Sequence, residues 1–242
     1  MEFLKLLKDV CIRELVLPVE SGSSRVLKEI MRKPLVLDYV KSVTTNCRKL
    51  GIYTDCNIIL GMPGETKADI EESRIFLKTI YADWFRVFVA TPIPGSEMFE
   101  TCEANDYFKI TPLNANYKRA VIETEHMTPE YVQLMTYKMN IELNFVHNSN
   151  LRLGNYKLAL ESFKNVLKVK YDHAIAHYYA AVCYDKLDQV DKAADHYIKA
   201  EKYNDASKFW KEYVDEFQIP ISSKARSILD DHEFVTKKLQ VI

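Results

Sequence analysis

The sequence predicts an α/β half joined to an all-α half, and three observations predict it. In the first 110 residues, short apolar runs at 14–19, 53–60 and 84–90 alternate with segments of helical periodicity. Each run gives way to a polar loop rich in glycine, proline or serine: "ESGS", "GMPGET" and "TPIPGS". From residue 128 onward the pattern is helical and contains an internal repeat of 34 residues. The expected domains are 1–126, then 127–204 holding a linker helix and two repeats, then capping helices over 205–242.

The elements follow in order. "ELVLPV" is β-branched and apolar enough for a strand, and "ESGSSRVLKEIMRK" reads as its loop and helix. Ser23 is the expected cap of that helix, with Val26, Leu27, Ile30 and Met31 on its apolar side. A second helix is predicted over 37–49, where Val40, Val43, Cys47 and Leu50 recur before Gly51 stops it. "YTDCNIIL" is the next strand, "GMPGET" its loop, and 67–81 a helix placing Ile70, Ile75, Phe76 and Ile80 inward. "WFRVFVA" is the third strand and ends in "TPIPGS". Strands this apolar are expected to be buried on both faces, which indicates a parallel β/α architecture.

In such folds the strand-to-helix loops share one rim, where helix N-termini present free N–H groups. Glycine lets a ligand approach the backbone, and proline sets the loop shape in advance. One such loop usually just turns the chain; three at equivalent positions point to a shared ligand pocket.

Composition narrows the function classes. The net charge is −1, with nearly equal numbers of basic and acidic side chains in each half, so nucleic-acid binding has no electrostatic support. No apolar run reaches the ~20 residues that span a bilayer, and the start "MEFLKLLKDVC" lacks the features of a signal peptide. The chain reads as cytoplasmic, with no membrane partner. Five cysteines stand at 11, 47, 56, 102 and 183, none in CxxC spacing. They read as buried or idle thiols and not as disulfides or metal ligands.

"ESGSSRVLKEIMRK", "GMPGET" and "TPIPGS", in that order, resemble the C-terminal half of the radical S-adenosylmethionine (SAM) barrel. They are closest to the subfamily whose members often carry a cobalamin-binding domain. The resemblance covers residues 1–110 and implies a partial, TIM-like (β/α) barrel of about three β/α units, the fourth to sixth of six. It implies that Glu20 and Ser21 lie near the ribose or methionyl part of SAM, and that Lys33 pairs with the cofactor carboxylate. Gly61, Gly64 and Glu65 would support the cofactor, and Ala90, Thr91 and Pro92 would contact its adenine through the backbone. The implied cofactors are SAM, a 4Fe-4S cluster in an intact longer form, and cobalamin in members with that domain.

Read as residues alone, several of these positions have plainer roles. Glu65, Thr66 and Asp69 equally suit a helix start. Lys33 before Pro34 suits a solvated helix end. Glu20 stands apart, because a carboxylate directly after a buried strand needs a partner. The cluster motif CxxxCxxC is absent, so this chain is not expected to cleave SAM by itself. Two readings follow: the C-terminal portion of a radical SAM enzyme, or a degenerate barrel half serving as a protein-interaction scaffold. Either way the open sheet edge calls for the missing N-terminal barrel half or a protein partner.

In the second half, Thr128 and Pro129 start a long helix running to 150. "GNYKLALESFKNVL" then aligns with "DQVDKAADHYIKAE", pairing Ala159 with Ala193, Phe163 with Tyr197 and Val166 with Ala200. A period of 34 residues built from two helices resembles the tetratricopeptide repeat. Residues 140–153 are expected to form the first helix of the first repeat. Trp210, Tyr213 and Phe217 are expected to bury against the last one. His173 and His177, with Tyr178, Tyr179 and Tyr184, read as helix packing before they read as a metal or peptide site. A binding role would place a protein segment on the repeats.

Overall fold

Residues 1–110 and 119–221 are described by the computed structural model, and the chain divides after Asn144 into two units. The first unit opens with helix α1 (Glu2–Asp9) and strand β1 (Glu14–Glu20), followed by a single π-type turn at Val26–Ile30. Helix α2 (Leu37–Leu50), strand β2 (Tyr53–Leu60), helix α3 (Lys67–Thr79) and strand β3 (Trp84–Val89) come next. Helices α4 (Glu97–Ala104) and α5 (Pro129–Ile141) complete it. The strands form a parallel sheet in the order β1-β2-β3, each joined to the next by a helical crossover.

One face of this sheet is a dry core. Val19, Cys56, Ile58, Leu60, Phe85, Val87 and Val89 pack there with Val40, Ile70, Leu77, Val132 and Met139. The expectation of strands buried on both faces fails on the other side, where Val16 is 49% exposed and Pro18 and Arg86 are exposed. That face carries Glu14, Glu20, Asp55, Asn57 and Arg86 among its apolar residues, so it gains less from a covering layer.

Two helix expectations change. The Ser23 side chain does not cap the helical segment after β1; its hydroxyl donates to Asp69 Oδ1 at 3.0 Å, and the helical segment is short, covering residues 24–30. In α3, Ile75 is 54% exposed, while Ser73 is fully buried. The reason is steric. A Cβ on Gly22 would stand 2.7 Å from Ser73 Cα, so the loop after β1 lies directly on that position and leaves no room for a large side chain. Helix α2 ends as expected at Gly51, in the left-handed region at φ +66°.

The outer edge of β3 is not bare. Asn144 accepts from Phe85 N at 2.8 Å and donates to Phe85 O at 2.7 Å. Asn140, one helical turn earlier, treats Val87 the same way, accepting at 3.3 Å and donating at 3.0 Å. Two side-chain amides thus imitate the ladder of a neighbouring strand and satisfy backbone groups that would otherwise be stranded at an edge.

Thr128 caps α5 at Tyr131 N, with Pro129 in the first position. The predicted continuation to 150 is interrupted: a π-type turn occupies Glu142–Val146, and α6 (Ser149–Arg152) restarts under an Asn148 cap. The second unit, beginning at Phe145, adds α7 (Tyr156–Val169), α8 (Ala174–Lys186), α9 (Val190–Asp205) and α10 (Lys208–Glu216). Ala159, Phe163, Ala193, Tyr197 and Ala200 are all buried there, as are Trp210 and Tyr213. Residues 222–242 of the expected capping segment lie outside the described residues. Among the described residues no helix is long and apolar enough to cross a membrane.

Asn144→Leu should remove both bonds to Phe85 while keeping side-chain volume. Chemical denaturation is expected to show a loss of about 2–3 kcal/mol from the orphaned backbone groups. An unchanged midpoint would mean the edge is satisfied without the amide.

Candidate ligand pocket

The loops after β1 and β2 are braced by hydrogen bonds within the chain. Asp69, in the first turn of α3, accepts from Ser23 Oγ and Arg25 Nε at 3.0 Å each through Oδ1. Its Oδ2 takes Thr66 N at 2.8 Å, Thr66 Oγ1 at 2.5 Å and Arg25 Nη2. Arg25 also donates to Gly64 O at 2.9 Å, so one ion pair ties the loop after β1 to the loop after β2. Burial alone would raise the Asp69 carboxyl, but the bonds from Arg25, Thr66 and Ser23 hold it well below the usual range.

Glu65 closes the second loop on itself. Its Oε2 accepts from Gly61 N at 2.6 Å and Met62 N at 3.2 Å, and the side chain is fully buried. Gly61 and Gly64 allow this turn at φ +88° and +84°. Burial dominates and pushes Glu65 up to about 7, against the pull of the two backbone donors. Its Oε1 has no hydrogen-bond partner among the described residues.

Glu20 behaves differently. The register of β1 shifts between Pro18 and Glu20, and Glu20 takes φ +69°, which swings its carboxylate out of the strand line. There Oε2 meets Lys33 Nζ at 3.1 Å, and the same ammonium donates to Pro18 O.

A cavity of about 500 Å³ opens beside this pair, a size ordinary for small-ligand sites. Its walls include Glu20 from β1, Asn57 and Ile59 from β2, and Phe88, Ala90 and Thr91 from the end of β3. A second recess of about 450 Å³, lined by Glu29, Met31 and Pro63, shares Glu20, Ile59, Met62 and Met98 with it. Of the positions picked out from the sequence, Glu20, Ala90 and Thr91 line the cavity, and Lys33 stands behind Glu20. Ser21, Gly61, Gly64, Glu65 and Pro92 do not line it. Ser21 is spent on Ser73 Oγ at 3.1 Å and on Ser23 N at 3.1 Å. Sequence reasoning missed Asn57, Ile59 and Phe88. The signal was present in "YTDCNIIL", where Asp55 and Asn57 fall two apart in an otherwise apolar strand and therefore share a face.

In the second unit the histidines are engaged in packing. His173 accepts from Ala176 N at 3.1 Å and stacks on Trp210, and burial lowers it to about 3. His177 bonds Tyr171 O at 2.8 Å through Nε2 and His196 at 3.0 Å through Nδ1. Because a carbonyl only accepts, His177 carries its proton on Nε2, and its Nδ1 accepts a hydrogen bond from His196 Nδ1–H.

Cys47, Cys56, Cys102 and Cys183 are buried, and Cys11 is exposed. Burial pushes Cys56 and Cys183 up to about 12 and Cys102 to about 11, the opposite of thiols held ready as thiolates. No group of three or more His, Cys, Asp or Glu able to hold a metal gathers among the described residues.

The first unit is thus a parallel α/β layer with a ligand-sized cavity at the C-terminal ends of its strands. Comparison with known proteins gives that class a neighbourhood. No family model matches the chain. It is 39% identical over 95 residues to a tRNA-2-methylthio-N(6)-dimethylallyladenosine synthase of Desulfotalea psychrophila, covering 38% of this chain and 21% of that protein. It is 30% identical over 169 residues to the Bacillus pumilus protein of the same name, covering 65% and 33%. A cytidylyl-2-hydroxyethylphosphonate methyltransferase of Streptomyces wedmorensis is 31% identical over 107 residues, covering 42% and 20%. The chain therefore spans a third or less of these relatives' own length. They support the resemblance to the radical SAM superfamily.

Glu65 carries a pH test. A carboxyl raised in the folded state holds its proton more tightly there than when unfolded, so its contribution to stability falls as pH rises from about 4.5 to about 7. Between pH 5 and 8 the wild type should lose up to about 3 kcal/mol relative to Glu65→Gln, by denaturation at each pH. Asp69, depressed and titrating at lower pH, leaves that window alone. Parallel pH profiles for the two proteins would refute the assignment.

Proposed function

We propose that residues 1–126 are the C-terminal part of a radical SAM barrel and that the rim cavity takes SAM. The observation that carries this reading is the convergence of Glu20, Ala90 and Thr91 on one cavity from two of the three loops, with the third loop adding Met62. The residues fit the ligand. Ile59, Phe88 and Met98 offer an apolar bed for a base, backbone groups near Ala90 and Thr91 offer edge contacts, and the Glu20 carboxylate can accept from the amino group or ribose hydroxyls. Lys33, held by Glu20 and Pro18 O, acts through Glu20 unless it releases that carboxylate for the ligand's own.

The residues do not fit a 4Fe-4S cluster. In the intact enzyme the cluster would be held by residues outside this chain, and SAM bound to it would supply radical chemistry. Methyl transfer or ring formation, with cobalamin in some members, is the corresponding reaction class. The share of this chain is to hold and orient SAM, and alone it is inactive. The missing barrel half, or a partner in its place, would pair with the β1 edge. The second unit is proposed as a tetratricopeptide-like module that offers a protein segment a docking surface, supported by the equivalent burial of Ala159 with Ala193 and Phe163 with Tyr197. Were the cavity to ignore SAM, the scaffold reading would take precedence.

Calorimetric titration of the 242-residue chain with SAM should show one-to-one binding. Thr91→Trp, which fills the cavity, should abolish it, and Glu20→Ala should weaken it at least about tenfold. Folded protein that gives no heat at millimolar SAM would end the cofactor reading.

A further inference from the structure

Helices α2 and α3 and the loop before α2 border a further cavity of about 610 Å³, which shares no wall residue with the rim cavity or the recess beside it. Pro34, Leu35, Leu37 and Phe76 give it an apolar floor. Leu35, Leu37 and Phe76 pack against the core of the sheet, and a Cβ on Gly22 would stand 3.0 Å from the Phe76 ring, so the loop after β1 backs that ring. The loop wall is fixed as well. Lys33 N donates to Leu27 O at 2.7 Å, Leu35 N donates to Lys33 O at 2.8 Å, and Pro34 between them sets its own φ. The walls are thus in place within this unit, and the size suits a small organic molecule.

The charge around this cavity is one-sided. Lys28, Lys33 and Lys41 line it, with Asp38 as the single carboxylate in its wall. In a chain of net charge −1, that is a local excess of cations. Lys33 is held by Glu20 at 3.1 Å, so the available charge lies with the other two. Lys28 is exposed and makes no ion pair among the described residues. Lys41 reaches Asp38 only at 3.9 Å, and the Asp38 side chain is 87% exposed, an arrangement that contributes little. The Lys41 ammonium stands over the Phe76 ring, 5.5 Å from its centre, which aims it at the apolar floor. Helix α2 starts at Val36 without a side-chain cap, and its first N–H groups add to the positive potential there.

We propose that this cavity binds a phosphate monoester, its phosphate held by Lys28 and Lys41 and its aromatic or apolar body resting against Phe76 and Leu35. A phosphate dianion matches two ammonium groups and accepts from each through a separate oxygen. A carboxylate carries half that charge, and a neutral hydroxyl carries none. The volume exceeds what a bare phosphate fills, so the organic body is part of the ligand. The inference goes beyond the cofactor reading and does not depend on it.

Phenyl phosphate, benzoate, phenol and inorganic phosphate separate the head group from the body. Each is titrated into the full 242-residue chain by calorimetry while the backbone amide resonances of Leu37 and Asp38 are followed. Phenyl phosphate should bind most tightly and shift both resonances. Benzoate and inorganic phosphate should bind more weakly, and phenol should leave the resonances unmoved. The double variant Lys28→Gln, Lys41→Gln should weaken phenyl phosphate at least about tenfold. Lys28→Arg with Lys41→Arg keeps both charges and should bind within about threefold of wild type. Both side chains are exposed, so neither variant threatens the fold. Phenol or inorganic phosphate binding as tightly as phenyl phosphate, benzoate binding more tightly, or an unchanged affinity in the glutamine variant would each overturn the proposal. The phenyl phosphate titration is repeated under saturating SAM. An unchanged affinity supports a separate site, and competition would place the phosphate in the rim cavity and overturn it. If SAM does not bind while the phosphate preference and its dependence on Lys28 and Lys41 persist, the cofactor reading falls and this site stands.

Discussion

The rim depends on one carboxylate. Asp69 uses both oxygens and five donor contacts to hold Ser23, Arg25 and Thr66, and through Arg25 it reaches Gly64 O. Four of those contacts come from side chains and one from the backbone, and the strongest is charge-assisted. This is why a chain with two glycines and a proline in a six-residue loop keeps one loop shape. The entropy of fixing "GMPGET" is offset by bonds within the rim itself. A ligand entering the cavity then meets walls already in place, which lowers the ordering cost of binding.

Two glutamates near that rim show how position, not residue type, sets a role. Glu65 follows the two glycines and folds back under them, so its carboxylate is consumed by Gly61 N and Met62 N. Glu20 ends an edge strand at a register shift, with a left-handed backbone that turns it outward to Lys33. Burial raises Glu65 because two backbone donors on one oxygen only partly offset it. The first is a structural brace for the loop; the second is a group that a ligand can reach.

Much of this was legible in the sequence. The three strands, their order, the Gly51 helix stop and the Thr128–Pro129 helix start all follow from local chemistry that acts over a few residues. What was not legible acts over long separations. Ser23 reads locally as a cap, but Asp69, 46 residues away, offers a better acceptor. Ile75 reads as inward until Gly22 brings a loop against Ser73. The amides of Asn140, in α5, and Asn144, in the π-type turn that follows it, sit four apart, a spacing that reveals a helix face but not that it borders β3. In the candidate site, Glu20 was readable because a carboxylate after an apolar strand is locally anomalous. Asn57 was anomalous by the same logic and was hidden by the apolar run around it.

Four of the five cysteines do packing work. A thiolate ligand needs an electropositive or open setting to lose its proton. Cys47, Cys56, Cys102 and Cys183 are buried, and burial moves all four the other way; Cys56 also feels Asp55 and Asp83. These are packing residues, and converting them to ligands would require opening the cores they fill. The rim, by contrast, is pre-formed, partly apolar and supplied with an addressable carboxylate. The cavity draws on residues other than these cysteines. Its walls come from the ends of the three strands and the loops that follow them, so its shape is set within this chain.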